Sequence, residues 1–454
     1  MIPSLAAPES RWRSRTTFVL ALSASAVGLG NIWRFSYLAG EQGGAPFVIA
    51  YVLCLFLVAV PLMVAEVALG SHGRSGPLVV LRNACDRSLL SRGWVLIGVG
   101  ACFTGLLIMV LYSVVAGWSL AYASAMQLEI FSSARAQEVG QFYADLLEDP
   151  LRQVYWQTLL LLVAVLAVGT GARRGLGLLV WLLVPVMVAI LGFLIRFAFD
   201  NGDLEATRTF LFSVQSIDFT GDSILVALGH ALFTLGVGVA TGISYGAYGP
   251  DRLPIGRSVM AVAVFDTMIA LLAGLAIFPL VFAHNMEPAS GPGLLFISLP
   301  YAFGNIAQGE LFGSVFFLLV ALAALGSMVA IMEPIVASLA QGLKLSRFTA
   351  TLLLGTMLWF LGYLVTASLA DGGIAGGSDL FTLVDRVAMQ WLLPLVCLTL
   401  SMFVGWKIRP EIARLELARE SGIFFSLWRF QLRYIAPLAI IVLLLGSLGT
   451  GSSS

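Results

Sequence analysis

Residues 28–35, Gly28-Leu29-Gly30-Asn31-Ile32-Trp33-Arg34-Phe35, set two glycines, an asparagine and an arginine inside an apolar run long enough to cross a bilayer. In lipid, every backbone polar group must be satisfied within the protein. A break in a spanning helix is therefore tolerated only where it lines a buried or watery cavity. A charge at bilayer depth is costly and marks a pathway or a binding site. This stretch reads as a discontinuous helix that holds something polar at mid-membrane.

The rest of the chain agrees with a membrane setting. Its 454 residues are 59% hydrophobic and 11% charged, with a mean hydropathy of +0.95. That composition excludes a soluble domain of this size. Apolar runs predict eleven spans, near 16–37, 45–70, 92–125, 154–171, 175–199, 223–248, 256–284, 309–341, 346–368, 381–406 and 431–449. Arg11, Arg13 and Arg15 before an apolar run ending Ser23-Ala24-Ser25-Ala26 resemble a signal peptide, but the run continues past the small residues, so it reads as span 1. Cys54, Cys85, Cys102 and Cys397 lack metal-ligand spacing and read as free thiols, three in apolar runs and Cys85 in a short basic loop.

Charge distribution sets the orientation. With the N-terminus inside, the cytoplasmic segments hold 19 of the 25 Lys and Arg: Arg11, Arg13, Arg15, Arg74, Arg82, Arg87, Arg92, Arg173, Arg174, Arg252, Arg257, Lys344, Arg347, Lys407, Arg409, Arg414, Arg419, Arg429 and Arg433. The outer segments hold Arg135, Arg152 and Arg208; Arg34, Arg196 and Arg386 fall in or beside spans. The bias predicts a cytoplasmic N-terminus and an external C-terminus. Acidic residues gather in the outer segments 129–149 and 200–222 and read as solvated loops.

Span 6 repeats the anomaly of span 1 with Gly229-His230-Ala231-Leu232-Phe233-Thr234-Leu235-Gly236-Val237-Gly238. A glycine-interrupted segment in each half is the sequence pointer to a site between inverted repeats. The expected fold is therefore all-α and integral to the membrane, with a first repeat over 16–199, a second, inverted one over 223–406, and span 11 (431–449) added. A repeat of five spans forces opposite orientations. The N-termini of half-helices offer partial positive charge, and freed carbonyls can hold a cation.

Gly28 to Phe35, Glu41-Gln42-Gly43-Gly44, Pro61-Leu62-Met63 with Glu66, and Phe233-Thr234 resemble the neurotransmitter:sodium symporter family, from about Trp12 to the end of span 11. The resemblance implies the same plan of inverted repeats with broken helices around a mid-membrane site. Bacterial members are mostly amino-acid transporters, many with eleven spans, which implies a place in a bacterial inner membrane. The resemblance implies a first sodium site at Ala26, Asn31, Thr234 and Asp266. Asp266 stands where the family has Asn and adds a negative charge. The family's chloride positions match Tyr51, His230, Thr234, Ala270 and Asp266, so a fixed carboxylate replacing the anion implies chloride independence. A His230–Asp266 pair would be placed to exchange protons. The second sodium site would use Ala24, Val27, Ala323 and Ser327, with Gly326 where the family supplies a further hydroxyl.

For the substrate, Gly28 leaves room for a carboxylate, and carbonyls of Ala26, Phe233 and Thr234 would meet the amino group. Ser25, Ile108, Tyr112, Phe233, Gly236, Val239, Ser327, Met328 and Ile331 would form an uncharged side-chain pocket, which implies an apolar side chain. Gly236 and Val239 are smaller than the Ser and Phe of a leucine-selective member, which favours a large aliphatic or aromatic amino acid. Tyr112 and Phe233 would close the outer lid, and Arg34 with Asp385 the outer gate, Asp379 being the other candidate. Glu66 would brace span 6. The family's inner-gate Arg and Asp are replaced by Glu9 and Gln341 beside a retained Trp12, with Arg11 a candidate substitute, so a weaker cytoplasmic lock and a bias toward inward-facing states are expected.

The resulting expectation is sodium-coupled uptake of a neutral amino acid by alternating access, with two sodium ions as cofactors and no obligatory protein partner. A proton-coupled or sodium-independent exchanger, or a non-transporting amino-acid sensor, are the alternatives. No Gly-x-x-x-x-Gly-Lys-Ser/Thr loop is present, so ATP hydrolysis is not implied. Neither is an enzyme: His72, His230 and His284 are scattered and no nucleophile–base constellation is evident.

Overall fold

The computed structural model describes residues 11–12, 14–212, 219–286, 293–370 and 379–450. Glu9 lies outside them. Nine of the described helices are long and apolar enough to cross a membrane. Span 1 is a bent pair, Arg15–Ala26 and Gly30–Glu41, meeting at 54°. Span 6 is likewise split, into Gly221–Thr234 and Thr241–Tyr248. Together these give eleven membrane segments. The others are Ala45–Gly73, Arg92–Gln127, Pro150–Gly169, Gly177–Asn201, Ile255–Ala283, Gly309–Gly342, Arg347–Ala370, Leu380–Lys407 and Gly422–Leu448. Span 11 starts nine residues before the expected 431, because Ser421 caps a new helix by accepting from the Phe424 amide at 3.1 Å.

Position in the bundle follows from composition. Span 8, Gly309–Gly342, is 83% buried along its apolar window, whereas span 11 is only 17% buried. Span 8 is thus the central post and span 11 a rim element facing lipid. Small residues allow the close crossings. A Cβ at Gly105 would come within 3.1 Å of the Ile331 side chain, drawing spans 3 and 8 together. One at Gly246 would collide with the Val67 backbone, and one at Gly70 with the Ile243 carbonyl, so span 2 lies directly against the second half of span 6.

Four connections contain helices that polar, irregular sequence concealed: Pro77–Arg87, Ala136–Leu147, Leu204–Phe212 and Pro410–Glu416. Cys85, expected in a loop, is buried on the first of these, and all four cysteines are free thiols. A short apolar segment, Leu294–Gly304, buries Leu294, Leu295, Phe296, Leu299 and Phe303 over the face opposite the arginine-rich one.

Candidate functional site

The two breaks meet at the centre of the bundle. The first half of span 1 stops at Ala26, and its last carbonyls lose their intrahelical partners. Ser23 O keeps the last helical bond, from the Val27 amide at 2.8 Å, whereas Ser25 O accepts from the Ser327 hydroxyl at 3.1 Å. The carbonyls of Ala24 and Ala26 are left as candidate ligands. Gly28 N–H donates to Asn31 Oδ1 at 3.0 Å and so holds the unwound turn. In span 6 the unwinding runs through Gly236 (φ +67°), Gly238 (φ +80°) and Ala240 (φ +61°). Left-handed backbone explains the two glycines. Glu66 reaches across from span 2 and accepts from Gly238 N at 2.8 Å and Gly242 N at 3.0 Å. The brace expected of Glu66 is therefore present in the geometry.

Asp266 is fully buried and gathers the polar groups of the break. Asn31 Nδ2 donates to its Oδ1 at 2.8 Å and to its carbonyl at 3.1 Å. Tyr51 OH donates to Oδ2 at 3.0 Å. Thr234 Oγ1 lies 3.3 and 3.2 Å from the two carboxylate oxygens. Asn31, Thr234 and Asp266 are thus brought together as the sequence implied, beside the end of the Arg15–Ala26 helix. Such an oxygen-rich, net-negative cluster suits a small hard cation.

His230 is placed differently from the expectation. It does not pair with Asp266: both ring nitrogens are buried without a hydrogen-bond partner, and the ring packs against Tyr51, centroids 5.2 Å apart. The Tyr51 hydroxyl occupies the carboxylate edge that the histidine would have used. Ser327, one of the residues the resemblance implied for a second cation, lies against span 1 with its hydroxyl donating to Ser25 O. Gly326 departs further than a missing hydroxyl, because a Cβ there would sit 2.6 Å from Ala24 O. Span 8 packs its bare backbone on that carbonyl.

The pocket residues surround the breaks. Ser25, Ile108, Tyr112, Val239, Ser327, Met328 and Ile331 are buried. A Cβ on Gly28 would press on the Ser327 hydroxyl and lie 3.4 Å from Tyr112 OH, so a side chain at position 28 would require that hydroxyl to turn away. Tyr112 and Phe233 meet edge to face at 6.0 Å. Above them lies a cavity of about 150 Å³, lined by Gly30, Trp33, Arg34, Phe381, Asp385 and Met389 among others. Arg34 sits 5.1 Å over the Phe233 ring and 3.9 Å from Asp385 Oδ1. Asp379 is instead a helix cap, accepting from Thr382 N at 2.6 Å, so Asp385 is the partner.

The arginine-rich face is shut more firmly than expected. Trp12 is buried; its amide donates to Tyr248 O at 2.9 Å and its indole N–H to Ala172 O at 3.0 Å. Arg11 finds a partner in Asp251 at 2.9 Å, while Gln341 Nε2 donates to Ser75 at 3.0 Å. A lock that the sequence reading missed lies deeper. Glu333, fully buried, accepts from Tyr248 OH at 2.6 Å and Arg347 Nη1 at 2.9 Å, with Arg347 Nη2 on its other oxygen. The signal available was a carboxylate inside span 8, since a buried acid requires partners.

Known proteins provide the context for this site. The model of the sodium:neurotransmitter symporter family matches residues 9–134 and 145–453. An uncharacterized sodium-dependent transporter, YhdH, of Bacillus subtilis (strain 168) is 33% identical over 97% of this chain and 98% of its own length. The sodium-dependent dopamine transporter of Bos taurus is 25% identical, over 99% of this chain and 70% of that protein. The crystal structure of MhsT in complex with L-phenylalanine superposes with a TM-score of 0.86 at 32% identity, covering 96% of this chain and 99% of that one. The chain belongs to the sodium:neurotransmitter symporter family and is a sodium-dependent membrane transporter, not an enzyme.

Proposed function

We propose that the chain couples an inward sodium gradient to uptake of a neutral, hydrophobic or aromatic amino acid, independently of chloride. The observation that carries this reading is Asp266. A fully buried carboxylate needs a counter-charge or it is driven to its neutral form, yet none of its partners, Asn31, Tyr51 and Thr234, is cationic. A sodium ion held by Ala26 O, Asn31, Thr234 and Asp266 would supply the charge. The fixed carboxylate would also do the work of a bound anion. Ala24, Val27, Ala323 and Ser327 would hold a second ion with one hydroxyl fewer than usual.

The substrate's carboxylate would sit by Gly28 and its amino group by the carbonyls of Ala26, Phe233 and Thr234. Its side chain would lie among Ser25, Ile108, Gly236, Val239, Met328 and Ile331. These residues carry no charge, and the small Gly236 and Val239 leave space for a bulky group. The phenylalanine bound by MhsT supports an aromatic ligand. Tyr112 and Phe233 would form the lid, and Arg34–Asp385 the gate above it. The two halves, 16–199 and 223–406, would rock about this fixed site, with the arginine-rich face in the cytoplasm of the cell's inner membrane.

Proteoliposomes offered labelled neutral amino acids under an inward sodium gradient, against equimolar choline, test the reading. Sodium-dependent accumulation of an apolar amino acid supports it. Uptake driven by a pH gradient alone would indicate a proton-coupled exchanger, and ligand binding without flux a sensor; either overturns it. Proton counter-flux through His230 is a second reading, favoured by its two unpartnered ring nitrogens. An unchanged pH profile of transport in His230→Gln would remove it.

A further inference from the structure

We propose that the arginine-rich face carries a binding site for an anionic phospholipid at the foot of span 11, separate from the transport site. A cavity of about 660 Å³ opens there, lined by Arg414, Arg429 and Arg433 together with Ser421, Phe430 and Tyr434. Three guanidinium groups thus surround one space. Other arginines on this face are matched with carboxylates, Arg11 and Arg74 with Asp251, Arg92 with Asp86, Arg257 with Glu420, and Arg347 with Glu333, while Arg82, Arg252, Arg409 and Arg419 stand apart from the cavity; Arg414, Arg429 and Arg433 differ in lining one space together. Among the described residues no carboxylate lies within 4.0 Å of Arg414, Arg429 or Arg433. Glu420, the one acid on the cavity wall, is turned to Arg257, taking its amide at 3.2 Å and its guanidinium at 3.5 Å.

The arginines are held, not loose. Arg433 Nε donates to Gly405 O at 2.7 Å and its guanidinium lies 5.4 Å from the Trp406 ring centroid, leaving its terminal nitrogens for a ligand. Arg414 stacks 5.8 Å from Phe425. A planar guanidinium fixed by its stem is suited to bidentate capture of phosphate oxygens.

The occupant is identified as a lipid by what lies next to the cavity. Ile423, Leu427, Phe430, Tyr434 and Leu438 are 75%, 59%, 53%, 49% and 66% exposed. Their spacing of three and four residues places them on one face of the helix. The stripe spans about 22 Å of helix axis, enough to cover the ~15 Å depth of one leaflet's hydrocarbon. A phosphate seated among the arginines would have its acyl chains laid along this stripe. A soluble anion would use the cavity and gain nothing from the stripe.

Native mass spectrometry of the full chain, offered phosphatidylglycerol and phosphatidylcholine with identical acyl chains, tests the site. Each well-placed arginine contributes about fivefold to retention of an anionic headgroup, the equivalent of ~1 kcal/mol. The wild type should therefore prefer phosphatidylglycerol by roughly 100-fold. Arg414→Gln and Arg429→Gln, whose side chains hold no backbone in place, should each lower the preference about fivefold, whereas Arg419→Gln, outside the cavity, should leave it unchanged. Equal retention of the two lipids by the wild type would overturn the proposal without reliance on any variant. So would indifference to Arg414→Gln and Arg429→Gln. Glycerol phosphate bound as tightly as the intact lipid would mark a soluble-anion site instead.

Discussion

Two arginine–carboxylate pairs, one above the helix breaks and one on the arginine-rich side, are of opposite character. Above the helix breaks, Arg34 and Asp385 stand 3.9 Å apart with side chains 25% and 39% exposed. On the arginine-rich side, Glu333 is fully buried and is shared by Tyr248 and both terminal nitrogens of Arg347. An exposed pair contributes little because water and salt screen it. A buried pair is costly to break from one side, because the partner is left as an uncompensated charge. Under the proposed transport function the Arg34–Asp385 pair would be a light latch that a bound ligand can tip, and the Glu333 cluster a lock. The Glu333 cluster is a closure that the expectation drawn from Glu9 and Gln341 did not include. The family's lost pair has a substitute near the surface, Arg11–Asp251, and a stronger one eight positions before Gln341.

That contrast can be broken by substitution. Glu333→Ala should have the largest effect, lowering stability by about 3 kcal/mol as the half-buried Arg347 loses its counter-charge and Tyr248 its acceptor. A fall in Tm, with faster labelling of a cysteine placed behind the lock, would be the readout; an unchanged Tm would remove the distinction between the ends. Tyr248→Phe deletes one hydrogen bond to a charged group and should cost about 1.5–3 kcal/mol, measured the same way. Asp385→Asn should shift stability by no more than about 1 kcal/mol, yet raise the KM for uptake, because the latch acts on bound substrate. A Tm loss as large as that of Glu333→Ala would show the two ends to be alike.

Smallest of all should be the fastening of the Pro410–Glu416 helix beneath the lock. Burial works to raise the Glu416 pKa, but hydrogen bonds from His72 and Ser71 outweigh it and hold it below the usual 4.5. A carboxylate whose folded pKa is lowered contributes stability that is fully present above the unfolded value and is lost as pH falls through the folded one. The wild type should therefore lose a small increment of Tm below about pH 4.5 that Glu416→Gln does not show. Equal acid sensitivity of the two proteins would count against the fastening.

Much of the centre was legible because membranes penalise exceptions. Two glycine-broken spans and an intramembrane arginine stood out against apolar sequence; Asp266, Thr234 and Asp385 were assigned through the family resemblance, and the structure sets Asn31 and Thr234 at Asp266 and Arg34 beside Asp385. The inner lock was not legible in the same way. Arg347 sits at the end of a span, where an arginine needs no partner, and its counter-charge Glu333 lies 14 residues away inside span 8. The pair forms because the turn between spans 8 and 9 folds residue 347 back along the helix end. His230 failed for a different reason: the family resemblance set it near Asp266, but the Tyr51 hydroxyl reaches the carboxylate first. Connecting helices such as Pro77–Arg87 were hidden because their charges read as loop.

Trp12 ties three separate parts of the chain at one point: its own strand of backbone, the end of span 6 through Tyr248 O, and the approach to span 5 through Ala172 O. These bonds lie within one buried residue, so none can be released while the others keep the indole in place. An opening toward the arginine-rich side would have to break both bonds and unpack the indole together, so it is expected to be concerted and steeply temperature-dependent. Its rate is set by how often the whole knot comes undone, not by the strength of any single strand in it.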